Sequence, residues 1–480
     1  MSKITRREFL KTTGLAAASA GTLFVSASCA LSGQSRASTR MPNIVFIFID
    51  DLGYKDLTCF GSTYYETPNI DKLASDGIVF TSAYANAPNC APTRACLISG
   101  QYTPRHGVYT VGTPERGKAH LRKLIPIPNR TNLDSKVVTV PQALKAAGYK
   151  TACIGKWHLG DKEPFRPEDR GFDVVFLRNR QGHFTADGRY LTDVLTDESL
   201  KFIEQNRDGP FFLYLSHHTV HTPIQARKEI IEKYKKKKPG AEHNNPTYAA
   251  MIESMDQSVG AVCAKLDELK LSDNTVVFFF SDNGGYANAT SMAPLRGSKG
   301  MLYEGGIRVP MIARWPGRVK AGTSCDVPVI GIDFYPTFLE IAGAPKPPGH
   351  ILDGVSLVPL LTRRQALKRK SIFWHFPAYL EPYNKNQEPW RMTPGGAVRQ
   401  GDWKLIEFFE DGKVELYNLK DDISETNDLS KAKPEKTKEL HRTLVEWRKS
   451  VNAPVPTEKN PQYNPDAKPA KKRKGKIKVS

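Results

Sequence analysis

Residues 43–49 form a continuous apolar run, Asn-Ile-Val-Phe-Ile-Phe-Ile, that ends in the acidic pair Asp50-Asp51. A strand without polar alternation is buried on both faces, which is typical of the centre of a parallel sheet covered by helices. In open α/β sheets, ligands bind just beyond the carboxyl ends of such strands. This run therefore constrains the chain to a layered α/β fold and places Asp50 and Asp51 where a site would form.

Strand and helix patterns alternate along the following chain. Comparable strands are predicted at residues 150–154, 211–216 and 275–280. Helices are predicted at residues 140–147, 193–205 and 248–269, where apolar side chains recur at helical spacing. This alternation predicts an α/β fold with a mostly parallel central sheet flanked by helices on both faces.

Polar residues follow each of the predicted central strands. Lys156 and His158 follow the strand at 150–154, His217, His218 and His221 follow 211–216, and Asp282-Asn283 follow 275–280. Core strands have no structural reason to end repeatedly in such residues. One shared site is the economical explanation.

From about Ser371 the sequence pattern changes to short segments in which apolar and polar residues alternate, as in strands. Asp411-Gly412 is typical of a hairpin turn between two of them, and a helix is predicted at residues 435–448. We therefore expect a smaller C-terminal α+β subdomain with an antiparallel sheet. The predicted organisation is an export signal and linker at 1–37, a large N-terminal domain at 41–365, the subdomain at 366–453 and a basic disordered tail at 454–480.

Composition excludes disorder for most of the chain, because 480 residues with 40% hydrophobic content can bury a large core. The formal net charge is +19, with basic residues concentrated in the first forty residues and in the last thirteen. We interpret the basic tail as a solvated end rather than a polyanion-binding arm, and we expect no nucleic-acid partner.

The amino terminus has the pattern of an export signal. Residues 5–11, Thr-Arg-Arg-Glu-Phe-Leu-Lys, precede an Ala-rich apolar stretch at 12–27 that is too short for a membrane span. The segment resembles a twin-arginine signal, which implies the twin-arginine translocation machinery as a partner. We therefore expect a periplasmic, secreted or outer-membrane-anchored bacterial protein. Lipidation of Cys29 and ordinary cleavage near Ala30 or Ala37 remain alternatives.

Cys90 stands out among seven irregularly spaced cysteines that do not form a disulfide framework. Pro92 suits the first turn of a helix, so Cys90 is predicted just ahead of a helix amino terminus. Such a position favours an anion and lowers the pKa of a thiol. The residues alone therefore indicate a thiolate nucleophile.

The segment 90–100, beginning Cys-Ala-Pro-Thr-Arg, resembles the Cys-x-Pro-x-Arg motif of the formylglycine-dependent sulfatases, a branch of the alkaline phosphatase superfamily. Other motifs of that family follow its order between Pro42 and Leu429. They are Ile-Asp-Asp-Leu-Gly at 49–53, Gly-Lys-Trp-His-Leu-Gly at 155–160, His-Thr-Pro at 221–223, Ser-Asp-Asn-Gly-Gly at 281–285 and Arg-Gly-Ser-Lys-Gly at 296–300. Thr93 stands where the family usually has Ser, and it keeps the hydroxyl. The resemblance implies an alkaline-phosphatase-like fold and sulfate ester hydrolysis.

Four oxygen-bearing side chains are predicted to bind a metal ion: Asp50, Asp51, Asp282 and Asn283. Three carboxylates and an amide suit a hard cation, so calcium is expected, with magnesium as the alternative. The competing interpretation of Asp50-Asp51 is a simple strand-end turn.

The resemblance also implies how the catalytic residues act. A formylglycine-generating maturation enzyme would oxidise Cys90, and the hydrated aldehyde would be the nucleophile, held by Arg94 and Lys156. Lys299 and His221 would bind the sulfate, with His221 as the acid for the leaving alkoxide. His158 would take a proton from the second hydroxyl of the hydrate and so release sulfate; otherwise it is a packed core histidine.

Four further histidines have weaker claims to a function. They are His106, His217, His218 and His375. Ordinary surface or core positions explain them best, although His375, at the start of the C-terminal sheet, is the leading candidate for substrate specificity, followed by His106.

Export and the resemblance together predict a sulfated carbohydrate as the substrate, with a galactose or N-acetylgalactosamine sulfate as the first choice. Two alternatives remain open from the sequence. One is a phosphonate monoester or phosphodiester hydrolase, which can share the metal site and the cysteine. The other is a non-catalytic protein that binds polyanions.

Overall fold

The computed structural model describes residues 40–177, 182–362, 366–383 and 390–467. The predicted export signal, Cys29 and residues 468–480 lie outside the described residues. The strands are β1 (Asn43–Ile49), β2 (Ile78–Phe80), β3 (Ala83–Tyr84), β4 (Lys150–Gly155), β5 (Val174–Phe176), β6 (Phe211–Ser216), β7 (Thr275–Ser281), β8 (Met311–Arg314), β9 (Thr323–Cys325), β10 (Val329–Ile330), β11 (Ser371–Phe376), β12 (Gly395–Gln400), β13 (Trp403–Phe408) and β14 (Val414–Asn418). The helices are α1 (Pro68–Ser75), α2 (Cys90–Ser99), α3 (Thr103–His106), α4 (Val140–Ala146), α5 (Leu191–Gln205), α6 (Lys228–Lys236), α7 (Pro246–Glu268), α8 (Glu304–Ile307), α9 (Phe334–Ala342), α10 (Val358–Leu361) and α11 (Pro434–Ser450).

The central sheet is mostly parallel, as the sequence predicts. Among the described residues, eight strands form it in the order β5-β4-β6-β1-β7-β8-β2-β9. The five strands from β5 to β7 in that order run parallel, whereas β8 is antiparallel to both β7 and β2. The fully buried strand β1 lies between β6 and β7, with Ile44 beside Phe212 and Val276.

Helices cover both faces of the sheet. Because successive strand side chains point to opposite faces, Phe46 and Phe48 pack into one apolar cluster with α2, α4 and α9, and Ile47 and Ile49 pack into another with α1, α5 and α7. None of the helices in these described ranges is both long and apolar enough to cross a membrane.

Helix boundaries follow local capping chemistry. Helix α7 begins two residues earlier than predicted because Asn245 caps it, its side chain accepting from the backbone N–H groups of Thr247 and Tyr248. Pro246 then fits the first helical position. At α4, Thr139 and Gln142 form a capping box.

The C-terminal subdomain is the predicted antiparallel sheet, in the order β11-β12-β13-β14, with α11 packed on it. Gly412, with φ of 69°, makes the turn between β13 and β14. The apolar side chains of this sheet share one cluster with Tyr84, Cys96 and Tyr102 of the N-terminal part. The two parts therefore have a common core.

A buried ion network also joins these two parts. Lys404 on β13 is fully buried, and its Nζ lies 2.9 Å from Glu304 at the start of α8 and 2.8 Å from Glu425 beyond β14. Removing one member of a buried ion pair costs about 3–5 kcal/mol, because the partner charge is left unpaired. Lys404 thus ties the small sheet to α8.

The expectation of a disordered tail from residue 454 is wrong for residues 454–467. The amide of Asn460 donates to the carbonyl of Lys123, and that of Ile125 donates to the carbonyl of Glu458, so this segment runs beside residues 119–125. The Asn460 side chain also donates to the carbonyl of Ala119. The composition of this segment indicated disorder. Its order depends on backbone hydrogen bonds to residues far away in sequence, and such contacts leave no local pattern that could be recognised.

Candidate active site

The polar residues that follow three central strands line one pocket, and those that follow a fourth strand lie behind it. Its lining includes Asp50 and Asp51 after β1, Lys156 after β4, and His218 and His221 after β6, together with Cys90. Asp282 and Asn283, after β7, lie buried directly behind Asp51. The parallel arrangement of β4, β6, β1 and β7 produces this convergence, because parallel strands present their carboxyl ends at one edge.

Asp51 is fixed by contacts with the end of β7. Its backbone is left-handed, with φ of 64°, and its N–H donates to Asp282 Oδ1 at 3.1 Å. The Asn283 amide donates to Asp51 Oδ1 at 2.8 Å. A non-glycine residue in this conformation is uncommon and is held by its surroundings. These bonds hold the four predicted metal ligands together.

Two oxygen atoms of this group fit a metal ion. Asp50 Oδ1 and Asn283 Oδ1 are buried and have no hydrogen-bond partner within the described part of the chain. A buried acceptor without a donor costs about 1–3 kcal/mol. A cation satisfies such oxygens, and three carboxylates with one amide are the donor set of hard divalent cations. The residues present therefore fit calcium or magnesium.

Positive side chains offset the three carboxylates. Lys156 contacts Asp50, Lys299 Nζ lies 2.5 Å from Asp51, and Arg94 Nη2 lies 2.8 Å from Asp282. Burial would raise the pKa of Asp50, but the charges of Lys156, His221 and Arg94 together hold it well below its usual range. Burial and the neighbouring Asp50 raise the pKa of Asp282 well above its usual range. A cation at this place would favour ionisation of Asp282.

Cys90 is the first residue of α2, one position further into the helix than predicted. Its side chain lines the pocket although the residue is only 2% exposed, and its Sγ lies 3.4 Å from His158 Nδ1. All ten residues of α2 are buried. Cys90 therefore presents its side chain to the pocket from the positive end of a rigid helix.

Arg94, one turn after Cys90, lies behind the pocket rather than in its lining. Its guanidinium is fully buried and donates to the Lys156 carbonyl, to the Ser216 hydroxyl and to Asp282. It thereby joins α2 to the ends of β4, β6 and β7. This geometry makes Arg94 a support for the residues that line the pocket.

His221 faces the pocket with its Nε2. Its Nδ1 lies 2.7 Å from the carbonyl oxygen of Thr222, an acceptor that holds the proton on Nδ1. Its Nε2 lies 3.7 Å from Asp51 Oδ2. His158 and Lys299 also line the pocket. The structure thus brings five of the six predicted catalytic residues into one lining and places Arg94 behind it.

The structure places His375 and His106, the two candidates for substrate specificity, in the core, the ordinary position that the sequence interpretation favoured. Each is 2% exposed and neither lines the pocket. His375 Nε2 bonds to the carbonyl of Pro454, and His106 Nε2 lies 3.3 Å from Cys96 Sγ. Burial lowers the pKa of both side chains to about 3, so both are neutral core histidines.

His217 is also a core histidine, bonded to Ser258, whereas its neighbour His218 lines the pocket. The sequence interpretation missed His218. His218 directly follows His217 at the end of β6. Consecutive side chains at a strand end point to opposite sides, so one of the two histidines could have been expected to face the site. The sequence interpretation also missed the buried His183 of the pocket lining and four half-buried lining residues, here called the pocket mouth: Arg116, Tyr286, Tyr383 and Arg391.

Comparisons with known proteins agree with this geometry. The sulfatase family model matches residues 42–344, and that of the N-sulphoglucosamine sulphohydrolase C-terminal region matches residues 298–450. A sulfatase of Formosa agariphila is 33% identical, with 90% of this chain and 93% of that protein covered. Human N-acetylgalactosamine-6-sulfatase is 31% identical, with 69% and 68% covered.

A solved structure shows the same likeness. Ps i-CgsB in complex with k-i-k-neocarrahexaose is 30% identical with a TM-score of 0.73, covering 85% of this chain and 93% of that one. The chain belongs to the sulfatase family, with an alkaline-phosphatase-like fold, and it is a sulfuric ester hydrolase. A phosphonate monoester hydrolase of Agrobacterium radiobacter, at 19% identity and a TM-score of 0.65, shares the fold alone.

Proposed function

We propose that this sulfatase removes sulfate from a sulfated sugar, using an aldehyde made from Cys90 and a bound calcium ion. The observation that carries the proposal is the position of Cys90, which enters one pocket with Lys156, His158 and His221 beside a group of buried carboxylates. The sugar is supported by the relatives, one named for N-acetylgalactosamine 6-sulfate and one bound to a neocarrahexaose. A galactose or N-acetylgalactosamine sulfate remains the first choice of substrate.

The metal ion would be held by Asp50, Asp51, Asp282 and Asn283. Its fit rests on the two buried oxygens without partners, Asp50 Oδ1 and Asn283 Oδ1. Calcium, or magnesium in its place, supplies positive charge that polarises the reacting oxygens. Lys156 and Lys299, each paired with one carboxylate of this group, hold further positive charge at the pocket floor for an incoming sulfate.

Oxidation of Cys90 by a maturation enzyme gives formylglycine, whose hydrate supplies a nucleophilic hydroxyl and a second hydroxyl for sulfate release. The chain holds this group at the amino end of α2, where backbone N–H groups favour negative charge. His158 Nδ1, 3.4 Å from Cys90 Sγ, is placed to accept a proton from residue 90.

His221 is the residue placed to protonate the leaving sugar oxygen. The Thr222 carbonyl fixes the proton on Nδ1, which leaves Nε2 to hold the proton that moves. Asp51 Oδ2 lies 3.7 Å from that nitrogen. Lys299 Nζ contacts both oxygens of Asp51, at 2.5 Å and 2.7 Å, and would bind the sulfate oxygens.

Export by the twin-arginine route is also part of the proposal, with a lipid anchor at Cys29 as an alternative to cleavage near Ala30. It is supported by the residues at 5–11. Replacing Arg6-Arg7 with two lysines should leave the precursor in the cytoplasm. Unchanged export of that variant would indicate the general secretory route.

The test of the function is a desulfation screen. Protein co-produced with a formylglycine-generating enzyme is assayed on sulfated mono- and disaccharides, with phosphate diesters and phosphonate monoesters in parallel and Cys90→Ala as the control. We expect sulfate release from a sugar at rates far above those on the phosphorus esters. Faster turnover of phosphorus esters, or turnover by Cys90→Ala, would contradict the proposal.

A further inference from the structure

The mouth of the pocket carries two arginines and two tyrosines that the proposed hydrolysis does not use. These residues are Arg116, Tyr286, Tyr383 and Arg391, and they line the same pocket as Cys90 and Lys299. In the proposed function, the reacting sulfate is already served by Lys156, by Lys299 and by the metal ion that the buried carboxylates would hold. Additional positive charge at the mouth therefore calls for its own explanation.

The described residues offset the charge of Arg391 only in part. Its Nε and Nη1 are buried and have no hydrogen-bond partner among residues 40–177, 182–362, 366–383 and 390–467. Buried side-chain donors in proteins nearly always have an acceptor. The neighbouring carboxylate, Glu381, binds Arg116 through Oε1, with the Arg116 Nε donor at 3.1 Å. Glu381 lies near Arg391 as well, and its Oε2 has no hydrogen-bond partner among the described residues. One carboxylate therefore faces two guanidinium groups in the described part of the chain, which leaves a net positive charge.

The guanidinium of Arg391 is held in a fixed place. Its Cζ lies 3.8 Å from the centroid of the Tyr383 ring, a stacking geometry that arginine favours. Its other neighbour is Gly300, where a Cβ would lie 2.7 Å from Arg391 Nε. The absence of a side chain at Gly300, with φ of +92°, leaves room for this contact.

The same tyrosine also supports the sulfate-binding lysine. The Tyr383 hydroxyl donates to the Lys299 carbonyl at 2.8 Å, and Gly300 directly follows Lys299 in the chain. Arg391 and Lys299 are therefore attached to one support, which sets their separation. The Tyr286 ring meets the Tyr383 ring edge-on, with centroids 4.8 Å apart, and adds a flat apolar wall to the pocket.

We propose that Arg391 binds a second anionic group of the substrate, a sulfate ester or a carboxylate on the same saccharide, while Lys299 binds the sulfate that is removed. A guanidinium suits both groups, because its planar fork matches their paired oxygens. The substrate class is then a saccharide with two negative charges rather than a singly sulfated sugar. This inference rests on the proposed function and adds a specificity-determining residue to it.

The kinetic consequence follows from where the second anion lies. It takes no part in bond breaking, so Arg391 binds it equally in the ground state and in the transition state. Loss of such binding raises KM and leaves kcat nearly unchanged. For one charged hydrogen-bonding contact, we expect an increase in KM of roughly 10- to 100-fold.

The test compares three disaccharides with matched protein variants. One substrate carries a single sulfate, the second has an added sulfate on the neighbouring sugar, and the third has an added uronic carboxylate. Arg391→Met keeps the stacking on Tyr383 without the charge, Arg391→Lys keeps the charge without the fork, and Arg166→Gln removes an exposed arginine as the charge control.

We expect Arg391→Met to raise KM for a doubly charged substrate roughly 10- to 100-fold, and to change KM for the singly sulfated substrate less than about 3-fold. For a doubly charged substrate, the KM of Arg391→Lys should lie between those of the wild type and Arg391→Met. The second and third disaccharides distinguish a sulfate from a carboxylate. Equal losses on all three substrates, or wild-type preference for the singly sulfated one, would overturn the subsite and leave the sulfatase function standing. No sulfate release from any of them by wild-type enzyme would contradict the proposed function instead.

Discussion

Arg94 and Asp282 form a fully buried ion pair, with Nη2 2.8 Å from Oδ2, that joins the helix carrying Cys90 to the strand end carrying the proposed metal ligands Asp282 and Asn283. Arg94 also donates to the Lys156 carbonyl and the Ser216 hydroxyl. One side chain thereby sets the relative position of the residue at the helix start and the carboxylates beside it.

Replacing Arg94 with Met should destabilise the fold. The change leaves Asp282 buried without its counter-charge, which costs about 3–5 kcal/mol in the free energy of unfolding. Chemical denaturation of metal-free protein measures this loss. Arg166→Met, on the surface beside Asp169, is the control and should unfold with the wild type. Equal stability of Arg94→Met and wild type would show that Arg94 does not carry this support.

Removal of the metal ion should abolish activity and lower thermal stability. A strong chelator leaves Asp50 Oδ1 and Asn283 Oδ1 without a partner, and added calcium should restore both activity and Tm. Asn283→Ala should raise the calcium concentration needed, while Asp161→Asn on the surface should not. Full activity in metal-free protein, or a Tm that does not change when calcium is added, would contradict the proposed metal site.

His221→Ala should slow esters with poor alcohol leaving groups by about 10²- to 10⁴-fold, because the alkoxide then leaves without a proton from Nε2. Activated aryl sulfates should be affected far less, since a phenolate needs little protonation. Rates on a sugar sulfate and on an aryl sulfate measure the difference, with the exposed His120→Ala as control. Equal losses on the two substrates would leave His221 only a role in binding sulfate.

Purified active enzyme should contain formylglycine before Ala91 in the peptide that includes Arg94, as mass analysis would show. Cys90 is 2% exposed and all of α2 is buried, so a maturation enzyme needs the chain before it folds. Protein made without that enzyme should retain cysteine and be nearly inactive, as should Cys90→Ser without a serine-type maturase. Only unmodified cysteine in fully active enzyme would indicate a thiolate mechanism.

The sequence predicted the strands that form the site and the polar residues at their ends, because both have local sequence patterns. Buried strands read as apolar runs, and Asp50, Lys156 and Asp282 directly follow such runs. The bounds of β1 and β6 are as predicted, and those of α4 differ by one residue. The start of a predicted helix added Cys90, and the motifs of the sulfatase family added Lys299 and the aldehyde chemistry of residue 90.

The pocket mouth could not be predicted, because it is formed by residues brought together only by the fold. Arg391 and Tyr383 lie in the connection between β11 and β12, where no periodic pattern marks their direction. His375 stayed a candidate for specificity for the related reason that a histidine in an apolar strand can point to either face. Here it bonds to Pro454, from a segment predicted to be disordered.

The buried contact of Lys404 with Glu304 and Glu425 bears on how such enzymes diversify. A C-terminal sheet grafted from a relative that lacks Lys404 would leave Glu304 without its contact across the two halves of the chain. Recombination between sulfatases at the start of β11 should therefore yield few folded chimaeras unless residue 304 travels with residues 404 and 425. Specificity in this architecture is more readily changed by substitution at the pocket mouth than by exchange of modules.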